Sequence, residues 1–390
     1  MSRFLLGINY WPRASAMYMW QRFDIDEIGE DFARIKELGL DVVRFFLMWE
    51  AFQPAPNAMN AETLRRFDAV MGRIADAGLR AMPTLFCGHM SGVNWLPAWT
   101  LERETVEGRF RTISDGAVVD RSIGDFYADP QLVEAQLLFA RRVGERLRGH
   151  PALFAWDLGN EFSNLRLPRT PSDAAEWSAR LTDALIEVSG AGVSGGMHGE
   201  DFDKDRRLRP SSIAQPWIFA TMHGYSVYSA FARDRLDSNV VPFLCQLQQS
   251  FSGKPVLFSE FGNPQCPPGR NEVDGFACLD EAEMAQYASD VLERLHAGGA
   301  LGAFWWCWSD YDPALANSPP FDRAPHELRF GVVRSDGTLK PVAATLRQFA
   351  RKARDVVTPP PAPIADEADH YAGLPESIGA EYRAYCDTHA

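Results

Sequence analysis

No stretch of the 390-residue sequence comes near the ~18 uninterrupted apolar residues that a bilayer-crossing helix needs. The opening MSRFLLGINY holds only a short apolar run, with no small-residue cleavage site behind it. No export signal is visible, and a cytoplasmic setting is expected. Positive charge is also scarce: 39 Lys and Arg stand against 52 Asp and Glu, a formal net charge of −13. That balance argues against nucleic acid and against an anionic membrane surface as partners, and suits a neutral or cationic ligand. The six cysteines (Cys87, Cys245, Cys266, Cys278, Cys307, Cys386) are scattered, with no C-x-x-C pair. Reduced thiols are therefore expected in place of a disulfide framework, and no spacing supports a zinc site. Low-complexity tracts and internal repeats are missing too, while apolar residues recur throughout, enough for a large core.

What is present is alternation. Apolar, β-rich segments at 4–10, 42–47, 80–86, 152–158, 192–197, 218–222, 255–259 and 301–306 are separated mostly by stretches of helical period. Helices are expected around 28–38, 61–77, 131–148, 172–189, 240–252, 280–297 and 341–351, the first two stopped by Gly39 and Gly78. The link 199–216 is the least helical. Such alternation implies parallel strands joined by right-handed crossovers. Eight strands fit a closed (β/α)8 TIM barrel, an α/β fold. An open sheet would want a G-x-G-x-x-G turn or a P-loop after its first strand, and neither is there. The barrel is expected over residues 1–356. Residues 357–390 form a short C-terminal extension, a proline-rich linker followed by Leu374, Ile378, Tyr382 and Tyr385 at the spacing of a short helix. That helix would dock on the barrel or on a second subunit, which leaves a homo-oligomer open.

Long connections follow the third, seventh and eighth strands, at the C-terminal face where barrel active sites are built. Asn94, Trp95, Trp99 and Arg103 in the first of them either wall a cleft or, for the two tryptophans, pin the loop down. The fourth segment, ALFAWDLGNEF, ends on Asn160 and Glu161, and the seventh, PVLFSEFG, on Glu260. Both acids follow long apolar runs, which puts them at the barrel rim. Paired carboxyls across one mouth suit glycosidic cleavage. One protonates the departing oxygen, and the other attacks the anomeric carbon or activates water. Arg44, ending the second strand, would be costly unless paired, and beside a carboxylate it would keep that group ionised. Tyr225 in MHGY is placed to donate to Glu260, and His223 to orient the tyrosine or the substrate. Asn160 offers its amide to a sugar 2-hydroxyl. Trp306, or Trp308 if the register slips, gives a flat platform for a pyranose ring, and alternation puts both on one face.

The set Arg44, His89, Asn160-Glu161, His223-x-Tyr225, Glu260 and Trp306 resembles the active-site signature of the clan A retaining glycosidases, most of all glycoside hydrolase family 5. The resemblance covers roughly residues 4–350. It implies that Glu161 is the acid/base, Glu260 the nucleophile and Trp306 the aromatic platform. It also implies a β-linked oligosaccharide or glycoside of gluco- or manno-configuration, with no metal or organic cofactor. Two departures stand out: His89 lies three residues past its strand, and Phe162 stands where many members have proline. The opening GINYWP is similar to β-galactosidase-like members of the clan. Without an export signal, an exo-acting β-mannosidase or β-glucosidase is favoured over an endo-mannanase or endo-glucanase. A catalytically silent carbohydrate-binding barrel is the rival of a different class. Asp201, Asp203 and Asp205 suggest calcium less than a solvated mixed-charge loop. Asp157 is expected to pair with an interior cation, and His198 and His326-Glu327 are further rim candidates.

Overall fold

The computed structural model describes residues 3–103, 109–273, 275–359, 364 and 366–388. Eight parallel strands form one sheet: β1 (Leu5–Tyr10), β2 (Val42–Met48), β3 (Arg80–Cys87), β4 (Trp156–Asn160), β5 (Val193–Gly196), β6 (Ala220–His223), β7 (Val256–Phe261) and β8 (Gly302–Trp305). Each pairs with its sequence neighbour, and β1 pairs with β8 through Leu5 and Gly302. The ring closes between β5 and β6 by single bonds: Ile218 N–H donates to the Val193 carbonyl and His223 N–H to that of Met197, both at 3.0 Å. The expected α/β barrel of TIM type is the observed fold.

The helices form where amphipathic stripes meet good starts. α1 (Ile25–Glu37) begins on Asp24, whose side chain accepts from the Asp26 and Glu27 amides. α2 (Ala61–Asp76) begins on Asn60 in the same way. α3 (Pro130–Arg146) and α4 (Pro171–Ser189) open on proline at the first turn, and Thr170 and Asp173 complete a capping box for α4. α5 (Val240–Ser252), α6 (Glu281–Ala297) and α7 (Pro341–Arg351) complete the outer layer. The link 199–216 carries only the short turns Glu200–Asp203 and Pro210–Ile213, as its weak helical pattern predicts.

Side chains alternate in and out along each strand, so the barrel interior fills in layers. Val42, Met82, Ala155, Phe219, Leu257 and Phe304 make an apolar plug at the N-terminal end of the barrel. Gly7 is required beside it: a Cβ there would come within 2.3 Å of the Phe304 ring. Two residues further along, the same inward faces turn polar, with Asn9, Arg44, Thr84, Asp157 and Ser259, all fully buried. The site is built on this polar layer.

Three observations correct or refine the sequence expectations. Residues 152–155 contact β3 through the backbone of Ala81, but β4 proper starts at Trp156 and runs to Asn160, so Glu161 is the first residue off the strand. The expected all-reduced cysteines do not hold, because Cys266 and Cys278 form a disulfide. Both lie in the irregular connection after β7, where no periodicity brings them together in advance. The extension packs on the barrel: α8 (Glu376–Thr388) buries Ile378, Tyr382 and Tyr385, and Tyr382 donates to Asp237 at 2.6 Å. Residues 360–363 of the expected proline linker lie outside the described residues. No helix among the described residues is long and apolar enough to cross a membrane.

Four cysteines remain free beside the one pair. Thiol titration of the oxidised protein in denaturant is therefore expected to find four reactive groups, and six after reduction; six without reductant would show the pair to be absent.

Candidate active site

Arg44 sits at the centre, fully buried, and donates in every direction. Its Nε reaches Asp157 Oδ2 at 2.8 Å, Nη1 reaches Asn9 Oδ1 at 3.0 Å and Glu260 Oε1 at 2.5 Å, and Nη2 reaches Asn160 Oδ1 at 3.0 Å. Burial works against the guanidinium charge, but Asp157 and Glu260 more than offset it, and the group is held above its ordinary value. Thr84 donates to the same Asp157 oxygen at 2.8 Å. Asp157 thus has the expected interior partner, and Glu260 is fixed from below. From the other side the Tyr225 hydroxyl donates to Glu260 Oε2 at 2.7 Å.

Glu161 follows β4 in the left-handed region, with φ 48° and ψ 48°. A residue with a Cβ pays of order 1–2 kcal/mol for that conformation. The turn aims the carboxyl across the mouth, and it starts the 3-10 helix Phe162–Asn164. Asn164 from that helix donates to Glu161 Oε2 at 3.0 Å. Three imidazoles surround the acid: His223 Nδ1 at 3.2 Å, and His89 Nε2 and His198 Nδ1 each at 3.9 Å. Burial pushes the Glu161 carboxyl up, yet His198, His223 and His89 outweigh it and hold it below its usual range. Burial also drives His89 down to about 4, so near neutral pH that ring is uncharged and its share of the pull is lost.

Of the two roles expected for His223, orienting the tyrosine or the substrate, the first is not the contact seen. Its Nδ1 lies between the two acids, 3.2 Å from Glu161 and 3.5 Å from Glu260 Oε1. One atom from each of Glu161, His223 and Glu260 falls within 4.8 Å of the others, the one cluster among the described residues close enough to ligate a metal. It fits one poorly, because Arg44 and Tyr225 already occupy both Glu260 oxygens and a cation would face the guanidinium. Asp201, Asp203 and Asp205 do not converge: Asp201 accepts from Ser163 and the His198 amide, and Asp205 pairs with Arg209.

A cavity of about 570 Å³ opens over these groups, of a size suited to a small ligand. His89, Asn160, Glu161, His223, Tyr225, Glu260 and Trp306 all line it. Asn160 keeps one amide hydrogen on the His89 carbonyl, at 3.1 Å. Trp308 does not belong to the site. β8 ends at Trp305, the two-residue alternation stops there, and Trp308 is buried beneath the Arg34 guanidinium. Trp95 and Trp99 also lie away from the cavity. Trp99 Nε1 donates to the Gln53 carbonyl at 3.0 Å, so it pins the loop. Arg109, Phe110, Asn164, Glu200, Tyr228 and Phe276 line the cavity without having been anticipated. They come from turns and loops, where no period marks an inward face.

No protein-family model matches the chain, and no curated protein matches it. Among solved structures it is similar to the exo-β-1,4-mannosidase Op5Man5 from Opitutaceae bacterium strain TAV5, with 29% identity and a TM-score of 0.73. That match covers 90% of this chain and 59% of the mannosidase, so the chain spans under two thirds of its length. A variant of a GH5_18 protein from Streptomyces cattleya, in complex with Manβ1-4GlcNAc, aligns with a TM-score of 0.79 and 20% identity, over 98% of this chain and 90% of that one. A β-galactosidase from the psychrophilic Marinomonas ef1 aligns at 0.63 and 13%, over 90% and 59%. The last two matches speak for the fold alone. The chain resembles the clan A glycoside hydrolases, family 5 among them.

Two stability effects follow. Asp157→Ala leaves the buried Arg44 short of a partner and is expected to cost about 3–5 kcal/mol in urea unfolding. Glu161→Gly is expected to be more stable than Glu161→Ala by about 1 kcal/mol, since glycine accepts the left-handed turn; equal stabilities would place the turn elsewhere.

Proposed function

We propose that the protein is a retaining β-glycosidase acting by double displacement, with Glu260 as nucleophile and Glu161 as acid/base. The observation that carries this is the placement of the two carboxyls, with oxygens within 4.8 Å of each other at the ends of β7 and β4. Retaining pairs are set about 5–5.5 Å apart, whereas an inverting pair leaves about 6.5–9.5 Å for a water. Their surroundings also differ in kind. Glu260 is gripped by Arg44 and Tyr225 as an oriented anion suited to attack, while Glu161 has no such cation on it and faces His223, His89, His198 and the Asn164 amide.

The two charges are coupled. The imidazoles hold Glu161 low in the free protein, so its role as acid requires a bound sugar to raise it by excluding water, an effect to which a negative charge on Glu260 would add. Attack on the anomeric carbon consumes the Glu260 charge as Glu161 gives its proton to the departing oxygen. With that charge gone, Glu161 ionises more readily, and as a carboxylate it serves as the base that takes a proton from the water that releases the sugar. Trp306 offers the floor for the ring, and Asn160 and His89 sit where hydroxyls of that unit would lie.

The substrate is read as a β-linked oligosaccharide or glycoside of manno- or gluco-configuration. The mannosidase activity and the Manβ1-4GlcNAc complex named for similar structures favour the first. An exo mode is supported by hydrogen bonds from the loops after β3 and β6 to Glu327 in the loop after β8, which tie three loops together in the cavity wall. Residues 1–356 form the catalytic barrel in this reading, with 357–390 as its extension. The Cys266–Cys278 pair suits an oxidising compartment better than the cytoplasm expected above.

Aryl β-mannoside, β-glucoside and β-galactoside are the substrates to test, with NMR of the first-formed anomer. A β-anomer from the β-mannoside or β-glucoside is expected; an α-anomer would rule out Glu260 as nucleophile, and preference for the galactoside would move the enzyme to the β-galactosidase-like members. Glu161→Ala is expected to lower turnover by about 10²–10⁴-fold. Azide should rescue it as the β-glycosyl azide, whereas rescue of Glu260→Ala should give the α-azide.

A further inference from the structure

A third carboxyl lies in the same cavity. Glu327 sits on the 3-10 helix Pro325–Arg329, in the long connection after β8, and is 8% exposed. Ser91, from the connection after β3, donates to its Oε2 at 3.0 Å. Tyr228, from the connection after β6, donates to its Oε1 at 3.0 Å. The Tyr228 hydroxyl also lies 2.9 Å from His326 Nε2. A hydroxyl has one hydrogen, so if it goes to Glu327 then His326 must donate from Nε2. The chain of donors runs His326, Tyr228, Glu327, and a neutral imidazole serves in it as the tautomer with its hydrogen on Nε2. Burial does push His326 down to about 4. The frame is braced further: Phe276 stacks on His326 with centroids 3.9 Å apart, and Tyr228 packs on Tyr225, which holds Glu260.

A carboxylate has about four lone-pair sites, and these two donors fill two. The rest belong to an oriented, nearly dry acceptor in a cavity shared with Glu161, Glu260 and Trp306. A purely structural acid would be expected to meet a cation there, yet no Lys or Arg pairs with Glu327 among the described residues. Facing it instead are Tyr228 and His326, the acids Glu260 and Glu161, and beneath them Cys307 and Tyr311. What such a group lacks is more hydrogen-bond donors, and a pyranose supplies them as hydroxyls. We propose that Glu327 is a specificity-determining residue that accepts two hydroxyl hydrogens from the sugar unit held over Trp306, and so fixes one terminal unit in the pocket. This rests on the glycosidase reading above.

The proposal carries a pH signature. Burial pushes Glu327 up to about 7, opposed by the Ser91 and Tyr228 hydrogen bonds and aided by the charges of Glu260 and Glu161. Hydroxyl donors stabilise the charged form, so its pKa falls when sugar binds and a proton is released. Binding should therefore weaken as pH falls through about 7 and level off above it.

The test uses the full chain with an uncleaved aryl β-thioglycoside titrated by calorimetry, and with aryl β-glycosides lacking one hydroxyl at a time. Glu327→Gln is expected to weaken thioglycoside binding about 10- to 100-fold, mainly as a KM effect in turnover. It should also abolish the loss of affinity below about 7. For one or two deoxy substrates the variant should cost nothing further, because the partner hydroxyl is already gone. If Glu327→Gln costs the same with every deoxy substrate, or the pH dependence persists in it, the residue is merely structural and the proposal fails. A wild type that turns over no aryl glycoside overturns the glycosidase reading first, and this inference with it. Circular dichroism on Glu327→Gln, expected to match wild type, separates loss of contact from loss of fold.

Discussion

Arg44 is the interaction on which the rest of the site depends. Its single positive charge, buried with 0% exposure, faces Asp157 and Glu260 together, so the polar layer carries one more negative charge than positive. Such a surplus is tolerable in a dry interior only because neutral donors share it: Thr84 on Asp157 and Tyr225 on Glu260. Arg44 spends further hydrogen bonds on Asn9 and Asn160, which lock the amides of β1 and β4 to the same centre. Four of the eight strands are thereby tied to one guanidinium, counting Arg44 on β2 and Glu260 on β7, and Thr84 joins β3 to them through Asp157. A residual negative charge beneath the ring is what a transition state with cationic anomeric carbon requires, so structural and chemical demands point the same way.

The barrel changes character along its axis for a related reason. The apolar plug around Phe304 and Leu257 fills the bottom by volume, with Gly7 giving way to the ring above it. Two residues higher, on the same faces, packing is replaced by hydrogen bonding. The plug supports the polar layer rigidly from beneath, and the loops close it from above. A polar layer at mid-barrel would otherwise admit water and weaken every charge interaction in it.

How much of this could be read in the sequence depended on whether a period applied. Asn160-Glu161 and Glu260 were legible because each follows a β-rich apolar run, and alternation assigns the strand tip to the mouth. Asp157 was legible as a partner for an interior cation because it shares Glu161's side of that alternation. Trp308 was misplaced where the alternation was carried beyond Trp305, the last strand residue. Asn164 was missed, and Glu327 was named as a rim candidate without a fixed position, because both sit on 3-10 turns, whose three-residue period is too short-lived to mark a face. The Cys266–Cys278 pair spans a loop with no period, and its closure depends on a path that only the folded chain defines. The apolar stripe of the extension was legible as a helix, but its docking partner was not.

That docking bears on the site. His370 is fully buried, lies 2.9 Å from the Phe202 carbonyl through Nε2, and is held at Nδ1 by Glu381 at 2.8 Å. Next to it, the Tyr371 hydroxyl donates to the Asp201 carbonyl at 2.9 Å. The Asp201 side chain in turn accepts from the His198 amide at 3.0 Å and from Ser163 at 2.6 Å, the residue between Phe162 and Asn164 on the Glu161 turn. The short helix Glu200–Asp203 is one turn long and has no packing stripe of its own. A single turn is not stable alone, so its position has to be imposed by neighbours. The extension supplies part of that constraint from outside, and Arg206 supplies part from within by donating to Glu200 and to the Ser163 carbonyl, both at 2.7 Å. The imidazole of His198 therefore keeps its distance from Glu161 through contacts that begin more than 160 residues further along the chain, and the extension is continuous in packing with the wall of the pocket.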